Sequence, residues 1–401
     1  MMQITDMQKE QQIQPLFRLG FRPFFLSGAL FSVLSLVIWV MIYRGLTVFE
    51  PYGGGYWWHI HEMVFGFSAA IIAGFLLTAV QNWTGIRGVQ GKLLAGLFFL
   101  WLAGRLALLF PNILGPVASA AIELSFLPAV AFVLGRPIIA IKQYRNLFFV
   151  PLLLVLTLIN LQMYLATAYP QTFSINYTGY SAVMVVTLLM SVMAGRVTPM
   201  FTANGTGTKK AEPLPWLERA CTATLAIATL SLLLQPLLGF SPVFFGALLV
   251  FSGIFQGIRW FRWRPWITLA VPLLWSLHAA LKFIWFGLIL LGVSYIIPEV
   301  PSNHVWHLLT IGGMGGLILA MIARVSLGHT GRPLMPPKLL SYGFALISIS
   351  ALVRAFGPCG APALATYFVE LSSVCWFIAY GAFILKYGPM LTAPRADGRP
   401  G

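Results

Sequence analysis

Charge is scarce in this chain. Of its 401 residues only 9 % are charged and ten are acidic, against 59 % hydrophobic. That balance excludes an ordinary soluble domain, in which about a quarter of residues carry charge. Cysteine is nearly absent. Cys221, Cys359 and Cys375 are the only three, and none stands in a CxxC or CxxCH spacing, which argues against a covalently attached c-type haem. A packing role is expected for all three. The polar N-terminal stretch to Gly20 lacks a short apolar core with a small-residue cleavage site, so no removable signal peptide is expected. Nor is there a linker long enough to separate domains. The longest inner loop, TANGTGTKKAEPLPW, ends at Trp216, so the expectation is one bundle over residues 1–401, with polar tails at 1–20 and 388–401.

What the chain has in abundance is long apolar runs. A hydrocarbon core needs about 20 residues of helix to cross it, and the runs supply roughly twelve such segments. They are placed at about 21–43, 57–81, 91–110, 113–134, 146–168, 177–201, 217–238, 240–258, 266–292, 302–326, 338–357 and 361–386. The fold class expected is therefore an all-α polytopic membrane protein embedded in a lipid bilayer.

The net charge of +15 does not point to nucleic acid, because the basic residues are distributed over alternate loops instead of one surface. Lys9, Arg18 and Arg22 precede the first helix. Arg87 and Lys92, Arg136, Lys142 and Arg145, Lys209, Lys210 and Arg219, Arg259, Arg262 and Arg264, and Arg332 and Lys338 fill every second loop, leaving only Arg44 and Arg354 for the others. By the positive-inside rule both termini are cytoplasmic.

Five of the six histidines fall in or at the ends of apolar runs: His59 and His61 in WWHIHEMVFGF, His278 in PLLWSLHAALKFIW, and His304 and His307 in SNHVWHLLTIGGMGG. An imidazole in lipid must satisfy two polar nitrogens, so it faces a partner, a cavity or a metal. The second and tenth helices run outside to inside, which sets His59, His61, His304 and His307 near the outer face. Residues two apart on a helix are turned by about 200°, and residues three apart share a face. His59 and His61 should point apart, and His304 and His307 the same way. His61 with His307 is the favoured pair of axial ligands for a non-covalent, b-type haem. His59 and His304 are left for a second metal or for supporting hydrogen bonds. The other reading is a set of interfacial histidines wetted from outside. His278 is expected near the middle of the ninth helix with Lys282 one turn on, either as a ligand with a cationic neighbour or as a histidine bonded to another helix. His329, in RVSLGHTGRPL, is expected at or beyond a helix end, a weaker candidate metal ligand.

A faint repeat supports the pairing. His61, Gly66, Thr84 and Gly85 match His307, Gly312, Thr330 and Gly331, and Met193, Arg196, Val197, Thr198 and Thr202 match Met321, Arg324, Val325, Ser326 and Thr330. A four-helix unit repeated three times would make a parallel pseudo-threefold bundle, as in the catalytic subunit of haem-copper oxidases. There the copper beside the haem takes histidines from helices 6 and 7, which here have none. A copper ion would need another set, such as His59, His278 and His304 with Met63. Glu62, Arg105, Glu123 and Glu370 also fall within membrane segments. Arg105 is a candidate partner for haem propionates. The glutamates are candidates for proton delivery or for orienting an imidazole, with structural ion pairs as the alternative.

The segments LGFRPFF, WWHIHEMVFGF, GFLLTAVQNWTG, AGRVTPMFTANG, RVSLGHTGRPL and the terminal DGRPG together resemble the NnrS family. The resemblance implies a bacterial inner-membrane protein containing haem and copper and tied to denitrification, nitric oxide and nitrosative stress. Two functions follow as expectations. One is a haem protein, an oxidoreductase if it turns over, that binds nitric oxide or a related nitrogen species near the outer face and draws electrons from quinol or a periplasmic donor. The other is a transporter, or a factor handling copper or haem for denitrification enzymes.

Overall fold

The computed structural model describes residues 12–399; Lys9 and the final Pro400–Gly401 of the DGRPG motif lie outside them. Among the described residues the chain is all helix. Eleven helices are long and apolar enough to cross a membrane. In chain order the long helices are α1 Phe21–Tyr43, α2 Gly54–Thr84, α3 Gly91–Leu109, α4 Pro111–Ala140, α5 Phe149–Ala168, α6 Ile175–Thr206, α7 Pro215–Leu233, α8 Pro242–Arg262, α9 Pro272–Ile296, α10 Ser302–His329, α11 Lys338–Gly360 and α12 Ala365–Thr392. The exception to the eleven is α7, which carries Glu218 and Arg219 in its first turns.

Prolines set several of these starts. Pro111, Pro215, Pro242 and Pro272 stand at the first helical position, where a missing N–H costs nothing and the ring presets φ. Pro272 also corrects an expectation. The ninth helix does not begin near residue 266: Pro265–Thr268 form a separate short turn, Val271 is extended at φ −116° and ψ 103°, and α9 begins at Pro272. A residue before proline is driven out of the helical region. His278 therefore sits in the second turn of α9 instead of near its middle. In the same way Pro236 and the left-handed Gly239 end α7 earlier than expected.

The helix α2 is not uniform. Gly54–His61 is α-helical, Glu62–Ser68 is π-helical, and Ala69–Thr84 is α-helical again. The helix α10 repeats this order: Ser302–His307, a π segment over Leu308–Gly315, then Gly316–His329. Each π segment starts on the residue after a histidine, His61 or His307, and contains the matched glycine, Gly66 or Gly312. Beyond each helix the matched Gly85 and Gly331 are left-handed, at φ 69° and 72°. Such π segments are rare and concentrate at functional sites. The third proposed copy, α6, is regular throughout, so the match in backbone conformation covers α2 and α10.

The chain divides into two compact units, residues 12–179 with 322–334 and 380–399, and residues 180–321 with 335–379. In the first unit the motifs meet through hydrogen bonds that each involve a backbone group. Arg22, fully buried, donates to the carbonyls of Leu391 and Ala393 at 2.9 and 2.7 Å. Arg395 donates to the His329 carbonyl at 3.0 Å, and the Ala396 N–H to Thr330 at 3.0 Å. The Phe21 N–H donates to Thr78 Oγ1 at 2.8 Å. The sequences LGFRPFF, GFLLTAVQNWTG, RVSLGHTGRPL and ADGR thus hold one another in place.

In the second unit α8 and α9 approach closely at Gly246 and Gly292. A β-carbon on either glycine would lie 2.6 or 2.5 Å from the other's carbonyl oxygen, the close backbone approach that small residues permit between membrane helices. Arg259, counted above among loop charges, is buried instead. Its guanidinium donates to Glu218 at 3.0 Å, to the Ser191 carbonyl at 3.1 Å and to Ser191 Oγ at 2.9 Å. Arg22 and Arg259 are therefore internal clamps, and each is removed from the loop asymmetry. Of the cysteines, Cys221 and Cys375 are buried and Cys359 is exposed.

Candidate functional site

The polar residues of the first unit converge from four consecutive helices. His61 and Glu62 come from α2, Arg105 from α3, Glu123 from α4, and Asn160 and Tyr164 from α5; none is more than 6 % exposed. Glu62 Oε1 accepts from Arg105 Nη1 at 2.5 Å and lies 2.7 Å from His61 Nδ1. The other end of the Arg105 guanidinium pairs with Glu123 Oε2. Asn160 Nδ2 donates to Glu123 Oε1 at 3.3 Å, and its Oδ1 stands 2.9 Å from His61 Nε2. The His61 ring lies flat against Trp57, with centroids 4.6 Å apart at 10°. Trp57 is fixed in turn by donating to the Met163 carbonyl at 2.8 Å.

Space for this cluster comes from glycine. A β-carbon on Gly66 would meet Arg105 Nη1 at 2.7 Å and Glu62 Oε2 at 2.9 Å, and one on Gly104 would come within contact of Glu123 Oε2. The π segment carries Gly66 to this position. Burying such charges unpaired would cost far more than a fold can bear, so the pairing explains why they are tolerated.

His59 and His61 point apart, as the helical geometry requires. His59 stacks on Trp39 of α1 with centroids 4.5 Å apart at 15°, while His61 faces α5. Met63 lies beside Ser35, whose Oγ is 3.7 Å from its sulfur.

In the second unit His307 sets Nδ1 3.1 Å from the Asn303 carbonyl. A carbonyl only accepts, so Nδ1 carries a hydrogen; in a neutral ring the lone pair would then lie at Nε2, the arrangement of a metal-ligating imidazole. His304 is oriented by Arg354, whose Nη1 donates to its Nδ1 at 3.0 Å. A guanidinium beside that ring opposes a metal cation there. His278 is 2 % exposed, with Nε2 2.9 Å from Thr202 Oγ1; its Nδ1 has no hydrogen-bond partner among the described residues. Lys282 is exposed, the placement that goes with the second of the two readings of His278, a histidine bonded to another helix with the lysine reaching outward. In the first unit His329 closes α10, its ring 5.5 Å from Phe21.

These placements test the residues against a haem. A neutral His307, held at Nδ1 by the Asn303 carbonyl, would have the orientation an axial ligand needs. His61 does not, because both its nitrogens are engaged by Asn160 and Glu62. Arg105 does not fit a propionate partner either, since both terminal nitrogens hold carboxylates. Among the described residues no three His, Cys, Asp or Glu side chains gather to hold a metal ion. Asn160 and Tyr164 escaped the sequence reading. Their signal was an amide and a phenol in the apolar run LTLINLQMYL, where an unpartnered polar group is costly.

One family model, described as NnrS protein, matches residues 15–395 of the chain. No curated protein matches it.

Proposed function

We propose, from the premise that this chain belongs to the NnrS family, that it is a membrane protein of the nitric oxide response that binds a b-type haem through His307. Family membership supports the biological setting. The haem reading is carried by one observation, the His307 Nδ1 contact with the Asn303 carbonyl directly before the π segment Leu308–Gly315. That contact orients the ring and sets the Nε2 lone pair that iron would take. When bound, the haem would supply a redox-active iron able to take nitric oxide or a related nitrogen species.

The residues around it have separable tasks. Asn303 sets the tautomer of His307, and Arg354 holds His304 by its Nδ1 as a neighbouring polar group. Trp306 stacks on Tyr180 with centroids 4.2 Å apart at 5°, which fixes the turn that bears His307. Copper is proposed as a second metal of the protein. A bacterial inner-membrane location is what the family resemblance implies, the loop charges support cytoplasmic termini, and quinol or a periplasmic protein is the proposed electron source. The three-arc arrangement of haem-copper oxidases remains the proposed architecture, supported by the shared π segments of α2 and α10.

The test is an absorption spectrum of the purified protein, with and without nitric oxide after reduction. A haem Soret band that shifts on nitric oxide is expected; a protein purified with haem available and lacking that band would overturn the reading. Interrupted helices such as α2 and α10 also occur in transporters, which favours the second reading enough to test it. Uptake of labelled copper or haem into proteoliposomes, unaffected by H307A, would establish transport instead.

A further inference from the structure

Among the described residues, Lys142 and Arg264 are the two besides glycine with a left-handed backbone, both at φ 55°. They stand at one structural position. Each follows the residue that caps a long helix, α4 or α8, and its N–H bonds the carbonyl three residues back at 3.0 Å, Ile139 for Lys142 and Phe261 for Arg264. A short helical turn comes next, Tyr144–Asn146 or Pro265–Thr268, and Val-Pro-Leu-Leu then stands at the start of the following helix, at 150–153 and 271–274. A left-handed residue after a helix is ordinarily glycine, because a β-carbon there is crowded. This chain follows that habit at Gly85 after α2 and Gly207 after α6. A cation at both turns of the other kind needs a reason besides the turn itself.

The surroundings supply one. Arg136, Lys142 and Arg145 are exposed, and no acidic residue lies within 129–150. In the other turn the Arg264 guanidinium donates to Thr208 Oγ1 at 3.2 Å and to the Lys209 carbonyl at 2.5 Å, which draws Lys209 and Lys210 onto the end of α8. Glu212 is paired with Lys209 at 3.5 Å, so Lys210, Arg262 and Arg264 remain as positive charges there. Two residues beyond each left-handed base is an exposed ring, Tyr144 at 62 % and Trp266 at 56 %. Such rings favour the headgroup layer of a bilayer. The lipid-facing side of α8 reaches its turn through the exposed Ile258 and Phe261. We infer that each of these turns binds the headgroup of an anionic phospholipid, its phosphodiester taken by the basic side chains and its acyl chains lying along the apolar helix that ends there. Basic clusters next to membrane helices bind such headgroups, and the exposed rings and apolar helix ends favour a lipid over a soluble anion. The left-handed backbone fixes a base beside a ring at the point where the helix leaves the hydrocarbon. These sites involve none of the histidines and are independent of the haem reading.

The experiment offers full-length protein in detergent an equimolar mixture of phosphatidylglycerol and phosphatidylethanolamine with matched acyl chains, and counts the retained lipids by native mass spectrometry. Wild type should retain phosphatidylglycerol in preference, one molecule for each turn. K142N with R145Q removes two charges while keeping a residue that tolerates the left-handed backbone, and should lose one of the two. K210Q with R262Q should lose the other, and the four changes together should lose both. From what a basic side chain adds near an anionic surface, each double change weakens its own site roughly thirty-fold. K142R with R145K keeps the charges and should retain both lipids. Equal retention of the two phospholipids by wild type overturns the inference, and so does a preference for phosphatidylglycerol that survives all four changes. The wild-type comparison decides the matter even where a variant fails to fold. A protein without haem that still selects phosphatidylglycerol leaves the inference standing.

Discussion

Gly66 and Arg105 are so closely packed that a β-carbon on the glycine would lie 2.7 Å from the guanidinium Nη1. The arginine side chain cannot simply swing away, because both its terminal nitrogens are held by buried carboxylates. Overpacking of this kind costs about 1–3 kcal/mol. G66A should therefore lower the thermal unfolding midpoint of detergent-solubilised protein. An unchanged midpoint would mean that the π segment relaxes freely.

Removing Arg105 should cost more than crowding it. R105M leaves Glu62 and Glu123 facing each other, and breaking a buried pair from one side costs about 3–5 kcal/mol. Sharply reduced yield in the membrane fraction is expected. R105M combined with E123Q should recover some of the loss by removing one of the two stranded carboxylates. Equal yields for the single and double variants would contradict this account.

H307A should abolish the Soret band while leaving the helical circular dichroism unchanged, because His307 is half-buried and its Nδ1 bond is to a carbonyl of its own helix. H329A should retain the band. R354A should keep haem but release His304 from its guanidinium, seen as altered reactivity of that histidine toward diethylpyrocarbonate. Loss of haem in H329A but not H307A would move the site to the other end of α10.

The C-terminal tail makes a prediction about pH. Arg395 pairs with Asp397 through both carboxylate oxygens, at 2.9 and 2.6 Å, and this hydrogen bonding holds the Asp397 carboxyl well below the usual carboxylate range. A depressed pKa contributes stability above the ordinary value, and the contribution is lost as pH falls through the folded one. Hydrogen exchange at the Ala396 amide, bonded to Thr330, should therefore stay protected from neutral pH through mild acid and weaken only in strong acid. D397N should show faster exchange throughout. Release of the wild-type tail near pH 6 would sink the account.

Much of the fold was legible because helix-length apolar runs and proline starts are local signals. Pro111, Pro215, Pro242 and Pro272 each open a helix. The matched spacing around His61 and His307 has a counterpart in backbone conformation, since each histidine directly precedes a π segment. The two histidines of the expected haem pair are held differently. His307 Nδ1 bonds a carbonyl of its own helix, whereas both nitrogens of His61 meet groups on α2 and α5, and sequence spacing says nothing about which helix a side chain will face. Arg22 and Arg259 misled for the same reason: a basic residue near a helix end is a loop charge unless distant carbonyls or a carboxylate close around it.

The sequence by itself determined that this is an all-helical chain of membrane-length segments, that its intramembrane polar residues are few, and that it belongs with the NnrS family. These rest on composition, period and motif, all properties of neighbouring residues. Only the tertiary structure decided what those polar residues do. Glu62, Arg105, Glu123 and Asn160 are separated by up to about a hundred positions along the chain, and hydrogen bonds between them depend on angstrom-scale placement of four packed helices. That placement gives both ring nitrogens of His61 hydrogen-bond partners that no spacing in the sequence announces.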